Sequence, residues 1–165
     1  MAAILPFFLV LVFITPSLMY FTGESFFLTN ALEFAEVQVN GESVLAATSF
    51  QLFLIFVILY LPTSLFSYAL WQGMKVVRMV RLQSILSLPL ALSVRNIAMT
   101  MLGMGILLPL CRFLIPLVYF WPERYFQITI LLSDLFLLLT GGLLFVTFHS
   151  MLEGIRAENE NKEFI

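Results

Sequence analysis

Two charged residues, Arg112 and Asp134, each interrupt a long apolar segment within residues 97–148. A guanidinium group can hold a carboxylate or another anion, and a carboxylate can carry a proton or close an ion pair. A lone charge inside a bilayer costs about 3 kcal/mol or more, and the usual remedy is a partner of opposite sign. We therefore predict that Arg112 and Asp134 pair between adjacent helices, either as a gate or proton relay or as a structural clasp.

The depth of the two charges favours this pairing. The connection Trp121-Pro122-Glu123-Arg124 separates the two apolar segments. If both segments are helices that turn back there, Arg112 lies eight residues before Phe120, and Asp134 lies nine residues after Tyr125. At about 1.5 Å per residue, both charges then lie roughly 12 to 14 Å below the same membrane surface.

Backbone features near the pair add an alternative partner and a packing site. Pro109 lacks an amide hydrogen and frees the Gly105 carbonyl, which is a second candidate partner for the guanidinium of Arg112. Thr140-Gly141-Gly142 predicts close approach of another helix, because small residues allow tight packing in lipid. Ser87-Leu88-Pro89 predicts a helix start, with serine at the cap and proline in the first turn.

The chain has few of the residues that metal binding, disulfide formation or catalysis would need. It has one cysteine, Cys111, and one histidine, His149, so an intrachain disulfide and a cysteine-rich metal site are excluded. His149 follows Asp134 by fifteen residues, about four turns of the same helix, so these two cannot meet. No phosphate-binding glycine loop or nucleotide fingerprint occurs. We expect no enzyme, catalytic residue, metal or cofactor.

The composition describes the elements that must position these residues. Hydrophobic residues make up 61% of the chain and charged residues 11%, and the mean hydropathy is +1.03, far from the values of soluble domains. A chain of 165 residues has room for about four spans of roughly 20 residues. We predict an all-α fold, a single integral membrane domain over residues 1–165 built as a four-helix transmembrane bundle, with spans at residues 3–21, 50–71, 97–120 and 127–148. The first apolar run is expected to be a retained span rather than a cleaved signal peptide, because it lacks a positive start and a small-x-small cleavage site.

The distribution of charge predicts the topology. The connection at residues 72–96 carries Lys75, Arg78, Arg81 and Arg95, and no acidic residue occurs between Gly73 and Asn96. By the positive-inside rule this connection is cytoplasmic, which places both chain ends and the tail at residues 150–165 in the cytoplasm. Three of these residues recur at helical spacing and form what we call the basic stripe: Lys75, Arg78 and Arg81. The basic stripe could bind anionic lipid headgroups or a cytoplasmic protein, or it could be only the topology signal.

The loop at residues 23–48 is then external. Its charged residues are all acidic, namely Glu24, Glu33, Glu36 and Glu42. The alternating residues 37–44 surround Asn40-Gly41, a dipeptide that favours a small β-hairpin. Such a hairpin would pack either on the helix bundle or on Phe26, Phe27 and Phe34 at the membrane interface. The loop is either an acidic binding surface or a solvated connection.

Two segments resemble a known family. Residues 151–165, with Glu153, Gly154, Glu158 and Asn159, resemble the ending of small four-span bacterial membrane proteins catalogued as a domain of unknown function. Members of that family close with a helix end, a Gly-x-x-Leu-x-x-Glu-Asn-like stretch and a terminal aliphatic residue. Residues 87–98, which include Arg95, are similar to the pattern before the third span in that family. The resemblance implies a bacterial cytoplasmic-membrane protein, often encoded beside a small helix-turn-helix regulator, and it implies no reaction.

Two function classes follow from these observations. The first is a regulatory or interaction subunit of the cytoplasmic membrane, whose partner is a membrane or cytoplasmic protein or a second copy of the chain. The alternative is a small proton- or ion-linked transporter or channel subunit that uses Arg112 and Asp134. The lipid bilayer is expected to be a partner as well. Nucleic acid is not expected to bind, because the basic stripe is short, flanked by apolar residues and anchored to the membrane.

Overall fold

The structure, a computed structural model, describes residues 10, 14, 17, 21, 23–37, 47–82, 87–121 and 128–163. These residues form four helices and no strand: α1, Glu24–Phe34; α2, Ser49–Leu82; α3, Leu88–Tyr119; and α4, Leu132–Glu163. Val10, Ile14, Ser17 and Phe21 are helical as well. Most of the first predicted span and all of the predicted hairpin except Val37 lie outside the described residues, so both stay predictions.

Three of the helices are long and apolar enough to cross a membrane: Ser49–Arg81, Leu88–Tyr119 and Leu132–Asn161. They indicate a membrane protein. With 33, 32 and 30 residues, they are about 45 to 50 Å long at 1.5 Å per residue. Because the hydrocarbon core of a bilayer is only about 30 Å thick, these helices extend beyond it.

The central element of the arrangement is α3, which packs against both α2 and α4. Within the described residues α2 and α4 do not contact each other. Gln51 near the start of α2 contacts Val118 near the end of α3, and Arg112 of α3 contacts Asp134 at the start of α4. Both neighbours therefore run antiparallel to α3 and parallel to each other. The three long helices thus form a layer with α3 in the middle. We call one end of this layer the basic end, because α2 finishes there with Lys75, Arg78 and Arg81.

Prolines and their neighbours shape these helices locally. The start of α3 at Leu88, with Ser87 at the N-cap position and proline in the first turn, confirms where the helix was predicted to begin, but the Ser87 hydroxyl makes no capping hydrogen bond within the described residues. Pro62 lies inside α2 and leaves the carbonyl of Ile58 without its usual helical N–H donor. The thiol of Cys111 on α3 donates to that carbonyl at 3.5 Å, so the proline defect in one helix provides a contact for the next.

A capping box fixes the start of α2 and ties it to the end of α3. The side chain of Gln51 accepts from the backbone N–H of Thr48 at 2.9 Å, and the hydroxyl of Thr48 accepts from the backbone N–H of Gln51 at 3.4 Å. The amide group of Gln51 then donates to the carbonyls of Val118 and Tyr119 at 3.1 and 3.3 Å. These are last-turn carbonyls that have no helical donor of their own.

Helix α1 lies within the region that the sequence predicts as a loop. Its apolar face is fully buried and packs on Leu52 and Ile55 of α2 and on Ile115 of α3, through the residues Phe27, Leu28, Ala31, Leu32 and Ala35. These five residues recur at helical spacing, so the signal is present in the sequence. It is short, however, and lies beside the Asn-Gly turn that favours a hairpin. The α1 end of the layer is therefore packed rather than open.

The end of α1 is a Schellman motif. The N–H of Val37 donates to the carbonyl of Leu32 and the N–H of Glu36 to that of Glu33, both at 3.0 Å. This motif needs a left-handed residue after the cap, and Glu36 occupies that position with φ of 60°. Glycine adopts this conformation without the penalty that a side chain carries.

Replacing Glu36 with glycine is expected to stabilise the protein by about 1 kcal/mol, because the left-handed conformation then carries no steric penalty. Glu33→Gly is the matched control, an exposed position within the same last turn, and it is expected to destabilise by up to about 1 kcal/mol. The measurement is the midpoint of thermal unfolding in detergent. Equal losses in both variants would show that α1 does not end as described.

Candidate intramembrane ion-pair site

Helix ends position the two charged residues of the site. Arg112 lies two turns before the end of α3, and Asp134 is the third residue of α4. The fourth span was expected to begin near residue 127, but α4 begins at Leu132, with residues 128–131 not helical. The reason is a cap, because the carboxylate of Asp134 accepts from the backbone N–H of Leu131 at 2.9 Å. Asp134 therefore lies where free N–H groups and the helix dipole favour a negative charge.

The structure brings Arg112 and Asp134 together in a two-point contact. Nη1 of Arg112 donates to Oδ2 of Asp134 at 2.5 Å, and Nη2 donates to Oδ1 at 3.2 Å. The side chains are only 5% and 1% exposed. A fork-to-fork pair of this kind combines charge with fixed orientation. Among the described residues both guanidinium hydrogen bonds go to Asp134, rather than to the Gly105 carbonyl that was the alternative partner.

Helix α1 covers the pair from a third side. The Phe34 ring lies 5.5 Å from Cζ of Arg112, within range of a cation–π contact. The Nε atom of Arg112 is buried and has no hydrogen-bond partner in the described part of the chain. The guanidinium group is thus held between an aromatic ring on α1 and a carboxylate on α4. Neither Phe34 nor the backbone N–H of Leu131 was recognised from the sequence as part of this site.

Close packing of α3 and α4 holds the site in register. A side-chain carbon added at Gly105 would lie 2.6 Å from Leu138 and 3.1 Å from the carbonyl oxygen of Asp134. One added at Gly141 would lie 3.0 Å from the backbone of both Ala98 and Leu102. Of the predicted small-residue motif, Gly141 faces α3, whereas Gly142 has open space.

The predicted basic residues lie on two helices. Lys75, Arg78 and Arg81 are exposed on the last turns of α2, and Nζ of Lys75 lies 5.6 Å from the Trp71 ring. Arg95 belongs to α3, and its Cζ lies 5.8 Å from the ring of Phe148 on α4. All four are far along their helices from the ion pair, at the opposite end of the layer.

The tail residues that carry the family resemblance lie on the last turns of α4. Glu153, Glu158 and Asn159 are exposed, and Gly154 is half-buried. Within residues 128–163 this places them at the basic end, on a helix that continues from the apolar segment without a break. Across the described residues no group of three or more His, Cys, Asp or Glu side chains could hold a metal ion.

Comparisons with known proteins leave the function open. No family model, no curated protein and no solved structure matches the chain. The resemblance of the tail and of residues 87–98 to a four-span family therefore stays a prediction.

Proposed function

We propose that this protein is a non-catalytic, multi-pass subunit of the bacterial cytoplasmic membrane that acts by contacting a protein partner. In this proposal the chain has four spans, and both ends lie in the cytoplasm. The observation that carries it is the basic end of the layer. There α2 and α4 both continue as charged helices beyond their apolar segments.

The size of these extensions supports a contact surface. From Trp71 to the end of α2 at Leu82 is about 16 Å, and from His149 to the end of α4 at Glu163 is about 21 Å. A helix of that length outside the apolar region is not needed to cross a bilayer. Both extensions leave the layer at the same end because α2 and α4 run parallel. A partner at that surface can touch both.

The ion pair supports a structural rather than a catalytic role. Both oxygens of Asp134 are engaged, with Arg112 and with the Leu131 N–H. Such a pair fixes the register of α3 and α4, in the way that buried polar groups specify one arrangement among several. We therefore assign it to holding the surface-bearing helices in place.

The test is to neutralise the basic stripe and measure whether the partner still cross-links to this chain. Lys75→Gln, Arg78→Gln and Arg81→Gln together should abolish a cross-link that intact membranes give between this chain and its partner, because the complementary charges are lost. Arg95→Gln is the control, since Arg95 lies over Phe148 on another helix. A cross-link that survives the triple change would remove this surface from the proposal.

One observation favours a second candidate, an ion- or proton-linked transport subunit. The buried Nε of Arg112 without a hydrogen-bond partner leaves an ionisable pair that is not fully satisfied, as is common along intramembrane ion paths. A flux assay in proteoliposomes decides this. Transport requires a measurable flux in the intact chain that Asp134→Asn removes, and absence of flux in the intact chain rejects it.

A further inference from the structure

Two helix faces of the layer have no partner within the described residues. Because α2 and α4 flank α3 without touching each other, each turns one face away from the layer. On α2 this face carries the exposed residues Phe53, Val57, Tyr68 and Trp71, and on α4 it carries Phe136, Leu139, Leu143 and Val146. Lipid or protein can cover such faces equally well, so their apolar character does not choose the occupant.

The charges at the ends of these two faces favour protein over lipid as the occupant. Beyond Trp71 the α2 face continues into Lys75 and Arg78, both exposed. Beyond Val146 the α4 face continues through Ser150 to Ala157. Exposed glutamates flank it on both sides: Glu153, Glu158 and Glu160. They outnumber the one basic residue of this stretch, Arg156. One face thus ends in positive charge and the other in net negative charge. Charges beside an apolar seam are the positions that select partner and orientation in paired helices.

The opposite charges also lie within about one helical turn of each other in height. Ile58 of α2 lies against Cys111 of α3, and Gly105 of α3 lies against the turn from Asp134 to Leu138 of α4. Because both neighbours run antiparallel to α3 and all three helices rise equally per residue, Ile58 is level with position 130 on the line of the α4 axis. Twenty residues further along each helix, Arg78 of α2 is level with Ser150 of α4, and Arg81 is level with Glu153. Two copies side by side in the same membrane orientation would thus set basic residues against acidic ones.

We propose that a second copy of this chain occupies these faces, with α4 of one copy packed against α2 of the next. This rests on the proposed function and names its partner. A symmetric contact through α4 alone would set Glu153, Glu158 and Glu160 near their own copies, and like charges oppose such pairing. The head-to-tail contact avoids this. It also leaves a free face on each outer copy, so the assembly grows until a ring closes.

Cysteine cross-linking tests the contact. With Cys111→Ser to remove the native thiol, Trp71→Cys on α2 and Leu143→Cys on α4 place one thiol on each exposed face at equal height, because 58 to 71 and 130 to 143 are both thirteen residues. The chain that carries both cysteines should give a ladder of dimers, trimers and larger species in native membranes. Each single-cysteine chain should give no ladder, because one thiol per copy can join at most two chains. Monomer alone from the double-cysteine chain would overturn the proposal.

A charge exchange in the same double-cysteine chain tests the partner's chemistry. Arg78→Glu alone and Glu153→Arg alone should each weaken the ladder several-fold, and both together should restore it. Coexpression of the two single variants should also restore it, because alternating copies regain opposite charges at every contact. No rescue in either case would sink the head-to-tail contact. If the ladder is absent while the Lys75, Arg78 and Arg81 surface still cross-links a different protein, this inference fails and the proposed function stands.

Discussion

Arg112→Leu is expected to remove most of the folded protein. The substitution leaves the carboxylate of Asp134 buried at 1% exposure with the Leu131 N–H as its remaining described partner. Breaking a buried pair on one side costs about 3–5 kcal/mol, which is a large part of the stability of a typical domain. The yield of monodisperse protein after detergent extraction should fall about tenfold or more.

The double substitution Arg112→Leu with Asp134→Leu is expected to recover much of that yield. Two leucines remove both buried charges, and in lipid they pack without an uncompensated group. Recovery should be incomplete because the cap on α4 that Asp134 provides is lost as well. Arg95→Leu is the control for loss of an arginine from α3. Equal damage in the single and double variants would show that the two side chains do not depend on each other.

Gly141→Ala is expected to be the most damaging single-methyl change in α4. The new methyl group would lie 3.0 Å from the carbonyl oxygen of Ala98 and from the backbone nitrogen of Leu102. Backbone atoms cannot turn aside as a side chain can, so α3 and α4 must separate. Overpacking of this kind costs about 1–3 kcal/mol.

Gly142→Ala is the matched control for this prediction. The neighbouring glycine has nothing within 4 Å of the added carbon, and alanine is the better helix former by about 0.5–1 kcal/mol. The thermal midpoint should therefore drop for Gly141→Ala and rise or stay level for Gly142→Ala. The same direction of change in both variants would contradict the described contact between α3 and α4.

Hydropathy and charge spacing predict much of this molecule. Three long apolar helices follow from composition and run length, because a bilayer needs about twenty apolar residues for each crossing. The contact between Arg112 and Asp134 follows from equal distance to a shared turn and from the cost of a lone charge in lipid. These are strong signals because the transfer of apolar side chains into lipid and the burial of an unpaired charge both involve large free energies.

The features that the sequence did not reveal depend on smaller and more local energies. Helix α1 is only eleven residues long and is stabilised by burial against α2 and α3, which is tertiary information. The start of α4 at Leu132 depends on one hydrogen bond from a backbone N–H to Asp134, whereas hydropathy runs on unchanged through residues 128–131. The threonine and glutamine of the capping box at Thr48 could have been found, since their spacing is that of the motif.

The central position of α3 has a consequence for the order of assembly. Each long helix contacts the helix that follows or precedes it in the chain, so its contacts are local in sequence and favour rapid pairing. The pair of α2 and α3 can form before α4 is synthesised, and the ion pair closes when α4 arrives. Helix α1 is the first of the four helices to be synthesised, yet its apolar face meets Leu52 and Ile115 only after both α2 and α3 have formed. This face therefore stays uncovered while two further helices are made, and only α4 completes its own contacts later.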